Sequence, residues 1–385
     1  MITKALKNFN IRQIADSGQC FRMVPCDPNR SQTAYRVISS GHFLIVEQHG
    51  EEVTFHCPDD EFTYWEYYFD IGTDYDAYIR AIDPADEYLA KAASFGSGIR
   101  ILNQDLWEMI ITFIISQQKT IPAIRALVEA LSERYGTRYK IPSECNFRTH
   151  TAILPNVQFS DISAGQHASA TFQKQLSTSA APAITDPSSG YYYAFPSPEE
   201  LNRASLDDLL ALKLGYRAKY IKRTCEDICS GKLDLDRLQG MNYADSMEAL
   251  LSCYGIGVKV ANCICLFGLH HIGAFPVDTW IKKILLREYA PKSHCTGHVP
   301  ETRLCEALIN VRKRGSVIRK RFDIKKHCAW NMSIQILLSN VTIFLSRRRH
   351  AGIDNLNFRV INMFGEPVGS YKPCRGHRHL HFCRG

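Results

Sequence analysis

The sequence lacks a regular disulfide framework, a membrane-spanning apolar run and the apolar core of a signal peptide. Its 14 cysteines are scattered, with no Cys-x-x-Cys pair, so a regular disulfide framework is not expected. No apolar run reaches the ~18 residues that a membrane-spanning helix needs. The N-terminal stretch MITKALKNFNIRQIADSG has no apolar core of a signal peptide. We therefore expect an intracellular protein whose thiols are reduced and mostly buried.

The sequence does contain enough apolar residues to build two or three domains. Of its 385 residues, 45% are hydrophobic and 11% are aromatic, which is typical of a globular protein. Residues 1–289 hold 28 Lys+Arg and 34 Asp+Glu (net −6), and residues 290–385 hold 18 and 5 (net +13), which together give +7. The basic C-terminal quarter indicates either a polyanionic partner or simply a soluble tail.

The spacing of the apolar residues predicts an α+β fold. Residues 1–95 include YRVISSGHFLIVEQHGEEVTFHC, where apolar and polar residues alternate around two turns, so an N-terminal domain of antiparallel strands is expected. Residues 96–289 are predicted to form a helical domain, because apolar residues recur every three or four positions. Asp105 and Ser197 are expected to cap helices, Pro122 to begin one and Gly136 to end one.

Two segments depart from these periods. Residues 141–190 are rich in Ser, Thr, Ala and Gln and are predicted to be a flexible insertion in the helical domain. Residues 290–385 are a basic C-terminal extension of uncertain fold. Residues of zinc-binding type occur near its end in a spacing that matches no common zinc finger, so no metal site is firmly predicted. They are Cys374, His377, His379, His381 and Cys383.

The stretch GIGVKVANC, residues 255–263, places a lysine at the start of an apolar helix. A helix–Gly-x-Gly–helix turn exposes backbone N–H groups that can bind a DNA phosphate without a basic side chain. Asp278 lies 19 residues after Lys259, near Pro276 and at the expected start of another helix. If these helices fold back on one another, Lys259 and Asp278 meet at a cleft.

This region resembles the 8-oxoguanine DNA glycosylase/AP lyases of the helix-hairpin-helix (HhH-GPD) base-excision superfamily. YGIGVKVANCICLFGLHHIGAFPVDTW is similar to the family's hairpin and Gly/Pro…Asp signature, and DSGQCFRM, QDLWEMIITFIISQQKTIPAI and LGYRAKY follow the family's order. The resemblance covers roughly residues 8–140 and 193–289. It implies a TBP-like antiparallel N-terminal domain followed by a helical HhH-GPD domain.

The resemblance also implies a reaction. A neutral Lys259 amine would attack the sugar C1′ of a flipped nucleotide, displace the damaged base and form a Schiff base, from which β-elimination cuts the strand. An apolar site and a nearby helix N-terminus would both disfavour the charged ammonium form. Asp278 would stabilise the positive charge that grows on the sugar, help to position the lysine, and cap its own helix.

The family resemblance also implies three residues that would recognise the damaged base. The carbonyl of Gly18 would distinguish 8-oxoguanine from guanine by accepting a hydrogen bond from N7–H. Cys263 and Trp280 would line the base pocket, with Trp280 as a stacking wall. Trp280 and the stretch SQQKTIPAI favour a bacterial cytoplasm, with the nucleoid, over a nucleus.

The resemblance likewise implies which residues would contact the rest of the duplex. Tyr216 and Arg217 would enter the duplex and contact the orphaned cytosine, and Gln118 would fill the gap left by the flipped base. The hairpin would hold a phosphate through Gly255, Ile256, Gly257 and Val258. The carbonyls of Leu251, Cys253 and Ile256 would offer a place for a monovalent cation, Ca²⁺ or Mg²⁺; no cofactor is otherwise expected.

Departures from the family pattern leave a second hypothesis open. Ala123 replaces an arginine that reads cytosine, which predicts a looser preference for the opposite base, and Tyr254 replaces the usual hairpin proline. No aromatic-rich helix that would close the base pocket is recognisable after Tyr289. The alternative to a bifunctional enzyme is therefore a catalytically impaired protein that binds lesions. Under either hypothesis the expected partner is damaged duplex DNA, bound by a monomer away from membranes.

Overall fold

The computed structural model of the chain describes residues 1–26, 33–145 and 190–289, together with two short strands near the C-terminus. Those strands, β8 (Phe358–Ile361) and β9 (Pro367–Tyr371), pair antiparallel. Residues 146–189 of the predicted insertion and most of the basic extension lie outside the described residues. The Cys and His residues of zinc-binding type near the C-terminus lie there as well.

Five antiparallel strands form the N-terminal sheet, in the order β1-β5-β4-β3-β2. Strands β2 to β5 therefore form a meander. The first strand of the chain, β1, completes the sheet by pairing antiparallel with β5, with Ile2 opposite Phe55. On β5 the alternate residues Val53 and Phe55 are fully buried, as the period of two predicted. The strands are β1 (Ile2–Ala5), β2 (Met23–Pro25), β3 (Ala34–Ser39), β4 (His42–His49) and β5 (Glu52–His56).

Two helices cover one face of this sheet with apolar and aromatic side chains. Ile11 and Ile14 of α1 and Trp65 of α2 are at most 2% exposed and belong to one core with the inner residues of the strands. Short helices then lead towards the second half of the chain. The helices of this part are α1 (Ile11–Asp16), α2 (Phe62–Tyr68), α3 (Tyr75–Arg80) and α4 (Glu87–Phe95).

The second half is built around one central helix, α5, whose residues from Leu106 to Ile115 are all buried. Its N-cap is Asp105, whose side chain accepts from the backbone N–H of Glu108, as predicted. Ser197 caps a helix through a reciprocal capping box with Glu200, also as predicted. The helices are α5 (Leu106–Ser116), α6 (Ile121–Tyr135), α7 (Pro198–Asn202), α8 (Leu206–Ala211), α9 (Arg217–Cys229), α10 (Leu235–Gln239), α11 (Tyr243–Leu251), α12 (Val258–Phe267) and α13 (Thr279–Ile284).

The two ends of the predicted insertion are held together. Strands β6 (Arg138–Lys140) and β7 (Tyr191–Tyr193) pair antiparallel on either side of it. The hydroxyl of Tyr192 donates to the carbonyl of Gly41 at 2.6 Å, and its ring lies 5.1 Å from that of Phe43. The insertion therefore leaves and re-enters the fold beside the N-terminal sheet.

The predicted α+β class, with an antiparallel sheet before a helical domain, is confirmed. The domain boundaries at residues 95/96 and 289/290 stay predictions. Across the ranges that the structure describes, no helix has both the length and the apolar character needed to cross a membrane.

Candidate active site

The hairpin between α11 and α12 is formed by a turn that requires glycine at one position. Gly255 has a φ of +89°, and a Cβ there would lie 2.2 Å from the ring of Tyr220. Gly257 is different, because its backbone is ordinary and nothing lies within 4 Å of a Cβ placed there. Helix α12 follows directly, so the N–H groups of its first turn are exposed at Gly257, Val258 and Lys259.

Lys259 lies at the start of α12 beside an aromatic ring. Its Nζ is 5.5 Å from the ring centre of Phe113, which stacks on Phe267 at 5.6 Å. The expected apolar enclosure is wrong for this structure, because residue 259 is exposed and α12 becomes buried only from Val260 onwards.

Cys263 connects the lysine and the aspartate electrostatically. It follows Lys259 by one helical turn and is 3% exposed. Burial raises the pKa of its thiol, the charge of Lys259 and a hydrogen bond from Lys259 lower it, and the charge of Asp278 raises it. The charges of Lys259 and Asp278 thus both act on the Cys263 thiol, and the cleft between the two side chains stays a prediction.

Asp278 is the N-cap of α13, as predicted. Its Oδ1 accepts from the N–H of Ile281 at 2.8 Å, and its carbonyl accepts from the N–H of Lys282. The helix is anchored behind the site, because Ile281 packs with Leu89 of α4 and the Tyr289 hydroxyl lies 3.1 Å from both carboxylate oxygens of Asp86. Trp280 is in this helix, but its side chain lies outside the described residues, so its place in the pocket stays a prediction.

Gly18 lies just after α1 and is held by its neighbour. Gly18 has a φ of +77°, in the left-handed region that favours glycine. Gln19 is 1% exposed and bonds to the backbone at Arg100 and Leu102, which fixes the chain on one side of Gly18. The ring of Phe21 then meets Phe113 edge to face at 6.2 Å, so the Gly18 segment and Lys259 share Phe113 as a common neighbour.

Of the three predicted duplex contacts, two are exposed and one is not. Tyr216 is 44% exposed, and Gln118 is exposed with a φ of +53°. Arg217 is only 5% exposed, and its guanidinium donates to the carbonyls of Gln117 and Leu214. This differs from the predicted contact with an orphaned base, because such a contact would require these internal hydrogen bonds to break.

Gln117 is a residue that the sequence motifs did not single out. Its carbonyl accepts from Arg217, and its side-chain amide donates to the carbonyl of Gly255 at 3.1 Å. It therefore links the start of α9, the end of α5 and the hairpin. Within the SQQKT stretch, the sequence motifs predict a role only for Gln118, whereas the link is made by the glutamine before it.

The imidazole of His270 makes a second connection that the motifs did not reveal. His270 lies in the linker between α12 and Asp278, and its Nε2 is 3.6 Å from Asp70 Oδ2. Burial raises the pKa of Asp70, but hydrogen bonds from His270, Thr73 and Tyr75 together with the charge of His270 lower it below its ordinary value. The linker that delivers Asp278 is thereby tied to the N-terminal half of the chain.

The proposed cation site at the hairpin stays a prediction. One of its three carbonyls, that of Cys253, already accepts from the N–H of Ile256 at 3.2 Å within the turn. A carbonyl oxygen has a second lone pair, so this bond leaves room for a cation. Within the described ranges no cluster of three or more His, Cys, Asp or Glu side chains could hold a metal ion.

Family models match the chain in two adjoining stretches. Residues 1–110 match the N-terminal domain of 8-oxoguanine DNA glycosylase. Residues 111–308 match the HhH-GPD superfamily of base excision DNA repair proteins. The boundary between the two matches lies within α5, the central helix. The second match includes the hairpin and Asp278.

Curated relatives agree with these models but are longer than the matched stretches. An N-glycosylase/DNA lyase of Saccharomyces cerevisiae is 31% identical over 225 residues, which cover 55% of this chain and 47% of that protein. A probable N-glycosylase/DNA lyase of Methanothermobacter thermautotrophicus is 40% identical over 113 residues, which cover 24% and 36% respectively. The chain therefore spans about half or less of the length of these relatives.

One solved enzyme is similar over nearly its whole length. The 8-oxoguanine glycosylase/lyase of Clostridium acetobutylicum, in its apo form, is 28% identical with a TM-score of 0.63 and covers 87% of this chain and 94% of its own. Its complex with double-stranded DNA containing cytosine opposite 8-oxoguanine is 27% identical with the same TM-score, covering 89% and 93%. The resemblance first seen in the hairpin residues is thus confirmed over both halves of the fold.

Proposed function

Because the chain belongs to the HhH-GPD superfamily of base excision DNA repair proteins, we propose that it excises 8-oxoguanine from duplex DNA and then cleaves the strand at the abasic site. The observation that supports this proposal is that Lys259 lies in the first turn of the hairpin's second helix beside the ring of Phe113, while Asp278 caps the helix that follows and both charges act on the Cys263 thiol. A relative that only binds lesions would not need a lysine at this place.

In the first step the Nζ of Lys259 attacks C1′ of the flipped nucleotide. The C1′–N9 bond breaks, the electron pair leaves with the base, and a C1′–Nζ bond forms. Positive charge grows on the sugar as the base departs, and the carboxylate of Asp278 stabilises it electrostatically. Asp278 is held for this task by its cap bond to Ile281, which keeps one oxygen engaged and the charge in place.

In the second step the C1′–O4′ bond breaks, O4′ takes up a proton, and the Nζ lone pair forms a C1′=Nζ Schiff base, which makes the C2′ hydrogens acidic. Water takes a C2′ proton, the C2′–H electron pair forms a C2′=C3′ double bond, and the C3′–O3′ bond breaks, so the 3′ phosphate leaves and the strand is cut. The lysine must lose a proton before it attacks, and its Nζ lies between the ring of Phe113 and the thiol of Cys263.

The hairpin is the proposed phosphate site for that duplex. Gly257, Val258 and Lys259, where α12 begins, are exposed, and no acidic residue lies in the first turn. The exposed Tyr216 is the proposed wedge, and Gly18 the proposed reader of the N7–H of 8-oxoguanine. Neither step needs a cofactor; a cation at the hairpin carbonyls, a monomeric state and an intracellular place beside DNA complete the proposal.

Excision and strand cleavage on matched duplexes test the proposal. A labelled duplex with one 8-oxoguanine opposite cytosine should be nicked under single-turnover conditions, and the same duplex with guanine should not. Lys259→Gln should abolish nicking while the protein still binds the duplex. Binding of the lesion without any base release by the unaltered protein would instead support the lesion-binding alternative.

A further inference from the structure

We infer that Asn262 is a positioning residue that holds Asp278 at a fixed place relative to Lys259. The inference rests on the proposed function, because it concerns the same two reacting groups. Asn262 lies on α12, three residues after Lys259, and is 6% exposed. It touches neither DNA nor base in this proposal; it acts through the two backbone segments that its amide joins.

The side-chain amide of Asn262 bonds to three groups of the protein. Asn262 Oδ1 accepts from the Tyr243 hydroxyl at 2.8 Å and from the N–H of Phe275 at 3.2 Å. Asn262 Nδ2 donates to the carbonyl of Val258 at 2.9 Å. The orientation of the amide follows from these partners, because the N–H of Phe275 can only donate and the carbonyl of Val258 can only accept.

The partners show what the amide controls. Val258 directly precedes Lys259 at the first turn of α12, and Phe275 lies three residues before Asp278. Pro276 follows Phe275 and restricts its backbone to extended conformations, so the segment from Phe275 to Asp278 has little freedom of its own. A bond that fixes the N–H of Phe275 therefore fixes the direction in which the chain reaches Asp278.

A purely structural role would make a different prediction. The bond from Tyr243 joins Asn262 to α11, the first helix of the hairpin, and would stabilise the hairpin whether or not Asp278 were near. Tyr243→Phe removes that bond and leaves the bond to Phe275 in place. It is the matched control, since it separates support of the hairpin from placement of Asp278.

Kinetics on the 8-oxoguanine:cytosine duplex provide the first test. Asn262→Ala should lower the single-turnover excision rate by about 10- to 100-fold, the size expected when a reacting group is misplaced by about 1 Å. Duplex affinity should stay within about threefold, since the amide does not face DNA. Asn262→Asp, which keeps the acceptor for Phe275, should recover most of the rate, and Tyr243→Phe should keep it.

A double variant shows whether Asn262 acts through Asp278. In an Asp278→Asn background, Asn262→Ala should cause little further loss, because the group that it positions has already lost its charge. A full additional loss of about 10-fold would overturn the inference. So would an Asn262→Ala protein that reacts at the rate of the unaltered protein.

Hydrogen exchange tests the inference even if the unaltered protein proves inactive. Amides in peptides that span residues 270–278 should exchange faster in Asn262→Ala than in the unaltered protein, and Tyr243→Phe should leave them protected. Unchanged protection in Asn262→Ala would refute the positioning role. Absence of excision by the unaltered protein would count against the proposed function alone, so the two failures can be told apart. If Asn262→Ala does not fold, Asn262→Leu and Asn262→Asp are compared in its place.

Discussion

At the scale of single residues, Asp278 caps α13 and, in the proposed function, also stabilises charge on the sugar, and one substitution can separate the two roles. Asparagine is as good an N-cap as aspartate, so Asp278→Asn keeps the bond to Ile281 and loses the charge. We expect the excision rate to fall about 10²- to 10³-fold, as when one preorganised electrostatic group is removed. The melting temperature should remain within experimental error of the unaltered protein.

Asp278→Ala is the companion variant, because it removes the cap as well as the charge. It should lose the same activity and, in addition, about 1 kcal/mol of stability. The dual role fails if Asp278→Asn excises 8-oxoguanine at the normal rate, or if it unfolds as easily as the alanine variant.

Glu108 is a buried carboxyl that should make stability depend on pH. It is 6% exposed on α5, and burial raises its pKa to about 8, against the lowering influence of Arg22. The folded protein keeps this proton up to about pH 8, whereas the unfolded chain loses it near its ordinary value of 4.5. Between those pH values the folded state binds more protons, so stability should fall as pH rises.

Glu108→Gln should remove that slope, because an amide does not titrate. The free energy of unfolding, measured by denaturant at about pH 5 and about pH 8.5, should differ less in this variant than in the unaltered protein. Each pKa unit corresponds to about 1.4 kcal/mol, so the missing slope amounts to a few kcal/mol. Glu133→Gln, at an exposed position of α6, is the matched control and should leave the slope unchanged. If the free energy of unfolding of Glu108→Gln depends on pH as steeply as that of the unaltered protein, the Glu108 carboxyl is not the cause of that dependence.

At the scale of secondary-structure elements, the hairpin depends on one of its glycines far more than on the other. Gly255→Ala forces a methyl group into the Tyr220 ring and a left-handed backbone on a residue with a Cβ. The backbone alone costs roughly 1–2 kcal/mol. Gly257→Ala meets neither obstacle. We expect thermal denaturation to show a clear loss for Gly255→Ala and almost none for Gly257→Ala; equal losses would contradict the described turn.

The elements themselves could be predicted because their signals are local. Asp105 and Ser197 sit where caps belong, and the glycines of the hairpin mark its turn. The burial of Arg217 could not be predicted, because the carbonyl that it reaches belongs to Gln117, 100 positions away. A motif states which residue type stands at a position, but it does not state which backbone groups lie within reach of that residue.

At the scale of the whole molecule, the site is assembled from both halves of the chain. Arg22, just before β2, forms a buried ion pair with Glu129 of α6 at 3.0 Å. Phe21 meets Phe113, and His270 pairs with Asp70. These contacts join segments that are far apart in sequence, so periodicity carries no information about them. The contact of Phe21 with Phe113 ties the segment that carries Gly18 to the core around α5, beside which Lys259 lies, and the His270–Asp70 pair ties the linker before Asp278 to the N-terminal half of the chain.

The net charge is distributed unevenly along the chain. Residues 1–289 carry a net charge of −6, from 28 basic and 34 acidic residues. The net charge of this part of the chain therefore does not attract a duplex, so the proposed function relies on the hairpin N–H groups to bind phosphate locally. The excess of basic residues lies after residue 289, where its contribution to DNA binding stays a prediction.

The central claim is that Lys259 forms a covalent bond with the sugar, and borohydride trapping tests it most directly. The protein is incubated with a duplex that carries 8-oxoguanine opposite cytosine, the Schiff base is reduced, and covalent complexes are separated on a denaturing gel. The account predicts a complex with the unaltered protein and with Lys219→Gln, an exposed lysine of α9, and none with Lys259→Gln. A complex that persists in Lys259→Gln, or none from a folded protein that binds the duplex, would contradict it.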